Sequence, residues 1–319
     1  MEFAIEVDRL VKSYPKGVTA LDALSFAVAP GSVFALLGPN GAGKSTAVKI
    51  LTTLAKPDAG RAFVSRLDVV ASADGVRRKI GVVAQGSAVD IQATGRENLR
   101  LQGQIHGIRG RAIEERAQEL LDRFGLADAA DRIARGYSGG MQRRLDIAMA
   151  LVHDPAVLFL DEPTTGLDPE VRADMWAEID RLARDEKMTI LLTTHYLDEA
   201  DELAAQVAIV DRGRIVALGT PDQLKEALEG DSLHFDLAEP SDGAVADALG
   251  GVDGLTEIAV DGRFVRARAR HGATAMPPAL AALEAAGYSV TSVTMSRPSL
   301  DEVYLRHAGR SFRDAEEGT

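Results

Sequence analysis

The sequence predicts an α/β fold followed by a smaller α+β module, and three observations carry that expectation. The apolar run Val33 to Leu37 reads as a buried strand. It runs into Gly38-Pro39-Asn40-Gly41-Ala42-Gly43-Lys44-Ser45-Thr46, and Ala47-Val48-Lys49-Ile50-Leu51 then reads as the first turns of a helix. A second apolar run, Ala156 to Leu160, ends in the carboxylates Asp161 and Glu162. After about Leu228 the pattern gives way to shorter strand and helix segments, which sets an expected boundary between residues 1–228 and 229–319.

The strand, loop and helix around Gly38 to Thr46 are in the register of a phosphate-binding loop. Its glycines let successive backbone N–H groups turn inward as a nest for phosphate oxygens at a helix N-terminus. Lys44 is expected to reach β- and γ-phosphates, and the Ser45 hydroxyl to ligate Mg²⁺. Asp161 is the second expected Mg²⁺ ligand, and Glu162 is placed where a carboxylate can polarise attacking water.

Composition narrows the partners. At 319 residues the chain has ample length for a core, and 46% apolar with 26% charged residues excludes a disordered polymer. A formal net charge of −12 argues against nucleic acid as the main partner, because phosphate neutralisation needs a basic face. Cysteine is absent, so disulfides, zinc–thiolate sites and thiol catalysis are excluded, in keeping with a reducing cytoplasm. Met1 to Asp8 carries acids where a secretory signal would be basic, and no window approaches 18 uncharged apolar residues. The expectation is a protein that reaches a membrane only through a partner.

Taken in order, Phe3, Ile5 and Val7 alternate with polar residues as a half-buried strand, and Leu24 to Val28 reads as a second. Tyr14 lies between them, a ring that packs or else stacks on a purine. Ile80 to Ala84 reads as a strand whose C-terminal end aims Gln85 at the nucleotide. From about Glu97 to Phe124 the pattern is that of an amphipathic helical subdomain. Tyr137-Ser138-Gly139-Gly140-Met141 opens another helix, whose N-terminus offers a second phosphate nest. One triphosphate does not obviously reach two nests set far apart, but a head-to-tail pair of copies can bring the second nest of one onto the nucleotide of the other. Thr164 to Pro169 reads as a turn, with Asp168 set for a contact or a helix cap. Thr189 to Thr194 is a strand delivering His195 toward the γ-phosphate.

Together these residues resemble the ATP-binding cassette (ABC) transporter ATPase family over roughly residues 3–225. Gly38 to Thr46 is similar to the Walker A loop, Gln85 to the Q-loop, and Tyr137 to Met141 to the signature motif. Val157 to Glu162 is similar to Walker B, Gly166 to Asp168 to the D-loop, His195 to the switch histidine, and Tyr14 to the adenine-stacking aromatic. Tyr137 and Met141 depart from the usual leucine and glutamine, which bears on helix packing or coupling rather than on ATP binding. The resemblance implies a mixed core sheet, an antiparallel β subdomain and a helical subdomain over about 90–150. It implies that two copies sandwich two ATP molecules, each held by the Walker A loop of one copy and Ser138-Gly139-Gly140 of the other. Gln85 would join Ser45 and Asp161 around Mg²⁺, and Glu162, His195 and Lys44 would act on the transferred phosphoryl group.

Pro298-Ser299-Leu300-Asp301-Glu302-Val303-Tyr304-Leu305-Arg306 is similar to the closing motif of daunorubicin-resistance-type drug-export ATPases. That likeness implies antibiotic or multidrug efflux through a separately encoded ABC-2-type permease, with this chain peripheral at the cytoplasmic face of the membrane. The rival readings are a soluble ABC ATPase acting on a ribosome or nucleic-acid complex, and a small-molecule kinase. From Leu233 onward the order β-α-β-β-α-β suggests a split-βαβ, ferredoxin-like module. Its second helix is expected to begin near Pro278, and a last helix is expected over 299–307, capped by Ser299. Arg263, Arg266, Arg268 and Arg270 form a basic strand face there, solvated or paired with acids.

Overall fold

Strands that must be buried on both faces lie at the centre of the larger part of the chain. The structure is a computed structural model that describes residues 2–15, 17–228, 230–241, 244–309, 311, 312 and 315. Met1, and Glu229 at the expected boundary, lie outside the described residues. The chain divides into a larger unit over Met1–Pro221, which also takes in the residues from His307 onward, and a smaller one over Asp222–Arg306.

The larger unit opens with β1 (Ile5–Tyr14) and β2 (Val18–Val28), then β3 (Val33–Leu37), α1 (Lys44–Leu51), β4 (Ala59–Val64) and β5 (Leu67–Asp68). It continues through α2 (Ala73–Arg77), β6 (Ile80–Val83), α3 (Gly95–Ile105), α4 (Arg111–Arg123), α5 (Gly139–Ala150) and β7 (Val157–Asp161). The remaining elements are α6 (Pro169–Arg184), β8 (Thr189–Thr194), α7 (Leu197–Leu203), β9 (Gln206–Asp211), β10 (Arg214–Gly219) and α8 (Pro221–Glu226), the last straddling the division. A six-stranded sheet has the order β10-β9-β3-β8-β7-β6, parallel except for β10. Every residue of β3 and β8 is buried, as continuous apolar strands covered on both faces require. An antiparallel sheet, β2-β1-β4-β5, packs against it through one core in which Phe26 stacks on Phe34 at 4.9 Å between ring centroids. β2 begins six residues before the expected Leu24, pairing Val18 with Tyr14.

The helical subdomain differs from expectation in one respect. The periodicity from Glu97 to Phe124 is broken into α3 and α4, because Gly107 (φ 83°) and Gly110 (φ 62°) take left-handed conformations that end one helix and start the next. α3 begins behind a capping box in which Thr94 and Glu97 satisfy each other's backbone N–H.

The smaller unit runs β11 (Asp231–Leu237), α9 (Ala244–Gly250), β12 (Leu255–Asp261), β13 (Phe264–Ala269), α10 (Gly272–Ala285) and β14 (Val290–Ser296), followed by α11 (Leu300–Ala308), most of which belongs to it. Its sheet is antiparallel in the order β12-β13-β11-β14, with Leu233, Phe235 and Leu237 facing a core shared with Val245, Leu249, Ala279 and Leu283. α10 begins at Gly272, six residues before the expected Pro278, and holds Pro277 and Pro278 inside it. The first turn is made by the Thr274 and Ala275 N–H groups donating to the His271 carbonyl, and the prolines follow as the sixth and seventh residues of the helix, past that turn, where each leaves one main-chain hydrogen bond unmade.

Candidate active site

The phosphate loop is shaped by positions that admit no side chain. A Cβ on Gly38 would lie 2.3 Å from the Val210 carbonyl oxygen, and one on Gly43 would lie 2.2 Å from that of Ala20. Gly43 is also at φ 107°, where it caps α1. The Gly38 N–H donates to the Thr194 carbonyl at 3.2 Å, and the Gly213 N–H to that of Ala42 at 2.9 Å, so the end of β8 and the β9–β10 turn clamp the loop. Asn40 and Gly41 are exposed at its tip, and Ser45 and Thr46 follow Lys44 in the first turn of α1.

Lys44 is buried, and its Nζ donates to the carbonyls of Gly38 (2.6 Å) and Pro39 (3.0 Å). It also lies 3.7 Å from Glu162 Oε1. β7 delivers the acids. Asp161 Oδ1 accepts from Ser45 Oγ at 3.3 Å and from Thr193 Oγ1 at 2.5 Å. Glu162 turns out of the strand at φ 50°, and Thr193 receives its N–H. Its Oε2 accepts from Gln85 Nε2 (3.2 Å) and Thr165 Oγ1 (3.3 Å), while Oε1 faces His195 Nδ1 at 3.5 Å. The His195 contact, together with the Lys44 charge and Thr165, outweighs burial and holds the Glu162 carboxyl below its ordinary range, so it is ionised at neutral pH.

One hydrogen-bonded and ion-paired cluster therefore gathers Lys44, Ser45, Gln85, Asp161, Glu162 and His195. The contacts of the other expected site residues lie elsewhere. Tyr14 ends β1, more than a third exposed, with the Lys12 ammonium 5.7 Å from its ring centroid. Ser138 caps α5 by accepting the Met141 N–H at 3.3 Å, leaving Gly139 exposed beside it. Gly140 is buried, and a Cβ there would come within 2.6 Å of Val171. Asp168 caps α6 by accepting the Val171 N–H at 3.0 Å. Tyr137 sends its hydroxyl to the Ala129 carbonyl at 2.7 Å and packs where only glycine fits at position 95. Its departure from leucine thus bears on the packing of the helical subdomain.

Sequence reasoning missed Arg143, a buried arginine on α5 whose guanidinium donates to main-chain carbonyls on both sides of Glu162. The one available signal was an arginine three residues before Asp146, just ahead of the apolar stretch Ile147 to Ala150. Thr193, which holds both acids, carried no signal beyond its place near the end of a buried strand.

A family model described as ABC transporter matches residues 21–165, and one described as the DrrA1-3-like ATP-binding protein C-terminal domain matches residues 219–308. The daunorubicin resistance ATP-binding protein DrrA3 of Streptomyces coeruleorubidus is 46% identical over 310 residues, with 97% of each chain covered. The chain belongs to the ABC transporter ATP-binding proteins. The daunorubicin/doxorubicin resistance ATP-binding protein DrrA of Streptomyces peucetius is 45% identical over 313 residues, covering 98% of this chain and 94% of that one. Among solved structures, a dimeric ATP-binding cassette in a post-hydrolysis state with ADP and phosphate superposes with a TM-score of 0.61 and 25% identity, over 68% of this chain and 98% of that one. As a member of the ABC family this chain has the ABC ATPase fold, binds nucleotide and hydrolyses ATP. Exporter subunits of this kind work as dimers alongside membrane permease components. Among the described residues, no helix is long and apolar enough to cross a membrane.

Proposed function

We propose that this chain powers efflux of an antibiotic-like small molecule through a separately encoded ABC-2-type permease, bound peripherally at the cytoplasmic face of the membrane. Residues 1–228 would form the nucleotide-binding domain and 229–319 an accessory, ferredoxin-like domain. The observation that carries the reading is the ionised Glu162, which faces Lys44 and His195 and shares Gln85 with the same cluster. Support for the cargo comes from the relatives, which are named for daunorubicin and doxorubicin resistance and match along nearly the whole chain. That full-length match does not favour a ribosomal or nucleic-acid role.

In this reading the loop N–H groups of Gly38 to Thr46 cradle the β- and γ-phosphates, with Lys44 turning from the Gly38 and Pro39 carbonyls to their oxygens. Tyr14 supplies a ring for the adenine. The donor set fits a hard cation: bound Mg²⁺ would neutralise phosphate charge, held by the Ser45 hydroxyl and the Asp161 carboxylate with Gln85 alongside. Glu162 Oε accepts hydrogen-bonding from the attacking water as its oxygen bonds to the γ-phosphorus and the bond to the β-bridging oxygen breaks. His195 and Lys44 donate to the equatorial oxygens where charge gathers. Ser138, Gly139 and Gly140 of the second copy close the site, and Asp168 lies at the start of the adjacent helix.

Inverted membrane vesicles holding the full chain and its permease test the reading. ATP should drive daunorubicin into them with release of inorganic phosphate, and Glu162→Gln should stop both. ATP-independent uptake, equal uptake by Glu162→Gln, or transfer of phosphate to a small molecule instead of water would overturn it.

A further inference from the structure

The proposed mechanism leaves Arg143 without a role, although it is among the most heavily bonded side chains near the site. It is 8% exposed and lies five residues beyond the Ser138 cap of α5. Its Nε donates to the Pro163 carbonyl at 2.8 Å and one terminal nitrogen to that of Ala84 at 2.9 Å. The other terminal nitrogen lies 3.4 Å from the carbonyls of both Asp161 and Glu162. Asp146, one turn on, stands 3.9 Å away and accepts the Ala88 N–H at 2.9 Å. Burial pulls the guanidinium's pKa down, with the nearby acids Asp146, Asp161 and Glu199 opposing it.

Two features separate this from ordinary packing. Burying a guanidinium is costly, and an apolar residue would fill the same helix face more cheaply. Its hydrogen-bond acceptors are main-chain carbonyls, so the contacts fix where the backbone runs. Those carbonyls sit where the chain has just left a strand: Ala84 after β6, immediately before Gln85, and Glu162 and Pro163 after β7. Beyond the strands no continuous ladder holds the backbone, and Glu162 is at a positive φ. A planar fork with several donors is suited to gripping acceptors from two such segments together.

We propose that Arg143 couples the two nucleotide sites of the dimer. It is a positioning residue: when the N-terminus of α5 closes on the nucleotide held by the second copy, the helix carries the guanidinium, and the guanidinium sets Gln85 and Glu162 in its own site. This rests on the two-copy reading above. α5 is a single 12-residue helix, so Ser138 and Arg143 move as one body. The coupling gives each site information about the other.

The test is ATP-dependent hydrolysis by the full chain with its permease, for wild type and Arg143→Lys, which keeps the charge and removes the fork. Wild type should be cooperative with a Hill coefficient approaching about 2, the number of sites. In Arg143→Lys nucleotide affinity should hold, while kcat falls about 10- to 100-fold and the Hill coefficient drops to about 1. A purely structural role would lower the thermal midpoint without moving either kinetic quantity in the folded fraction, and that result overturns the proposal. Should Arg143→Lys not fold, Arg143→Gln decides on the same readouts, since it removes the fork and the buried charge together while keeping an amide donor. A cooperative wild type matched by a folded variant sinks the coupling alone. A hyperbolic wild type that stays monomeric with ATP and permease sinks the two-copy reading along with it.

Discussion

Each unit of this protein buries an arginine, and the two are satisfied in opposite ways. Arg143 in the larger unit hydrogen-bonds to the carbonyls around Gln85 and Glu162. Arg268 in the smaller unit, 7% exposed, donates mainly to carboxylates, at 2.9 Å to Glu302 and 3.2 Å to Glu257, with one longer bond of 3.5 Å to the Gly230 carbonyl. A guanidinium on carbonyls fixes the course of a backbone, whereas one on carboxylates fastens one element to another. In the second case the element is α11. Its Ser299 accepts the Glu302 N–H, Leu300, Val303 and Tyr304 are buried, and Arg306 donates to the Ala227 carbonyl. The closing motif Pro298 to Arg306 thus reads as a fastening of the smaller unit, and the basic strand face expected to be solvated or paired contributes Arg268 as a buried partner.

The comparison predicts that changes near Arg143 alter chemistry and changes near Arg268 alter stability. The largest effect should come from Glu162→Gln, which should lower hydrolysis by about 10²- to 10⁴-fold with nucleotide binding and thermal midpoint nearly unchanged, read by phosphate release and calorimetry. Next, Glu302→Gln should destabilise the smaller unit by about 3 kcal/mol, because it leaves Arg268 buried with one exposed acid, while kcat holds. The double change Arg268→Met, Glu302→Leu should recover most of that loss in denaturant unfolding. A double variant as unstable as the single one would mean that the Arg268–Glu302 pair is not what fastens α11.

Acid sharpens the same contrast. Burial alone would raise the Glu302 carboxyl from its ordinary value of 4.5, but His234, Ser232 and Arg268 bring it down to about 2. A depressed carboxylate contributes stability that is fully present above about 4.5 and is lost as pH falls toward 2, up to about 3 kcal/mol. Glu302→Gln should flatten that part of the stability–pH curve, and an unchanged slope would mean that Glu302 is not the group titrating. The smallest effect is expected at Asp168. Asp168→Ala removes the α6 cap and should cost about 1 kcal/mol in unfolding experiments.

Much of the larger unit was legible in the sequence because phosphate chemistry leaves little freedom. The glycines at 38 and 43 are forced by backbone contacts of 2.3 and 2.2 Å, and the acids must follow a buried strand to meet Lys44 and Ser45. What stayed hidden has no local pattern. The break between α3 and α4 depends on two glycines going left-handed inside a charge pattern that continues through them. The start of α10 was masked by Pro277 and Pro278, residues that usually mark a first turn and here sit beyond it. Arg143 is invisible to periodicity, since helical spacing says which face is buried but not that a buried arginine will find carbonyls at the ends of two separate strands.

The two-copy ATP site is tested most sharply by the oligomeric state of full-length Glu162→Gln with ATP, joined to its permease and measured by light scattering in detergent. Two copies enclosing two nucleotides are expected, falling apart when ATP is removed or when Ser138 is replaced by a bulky residue. A single copy that holds ATP without pairing would contradict it.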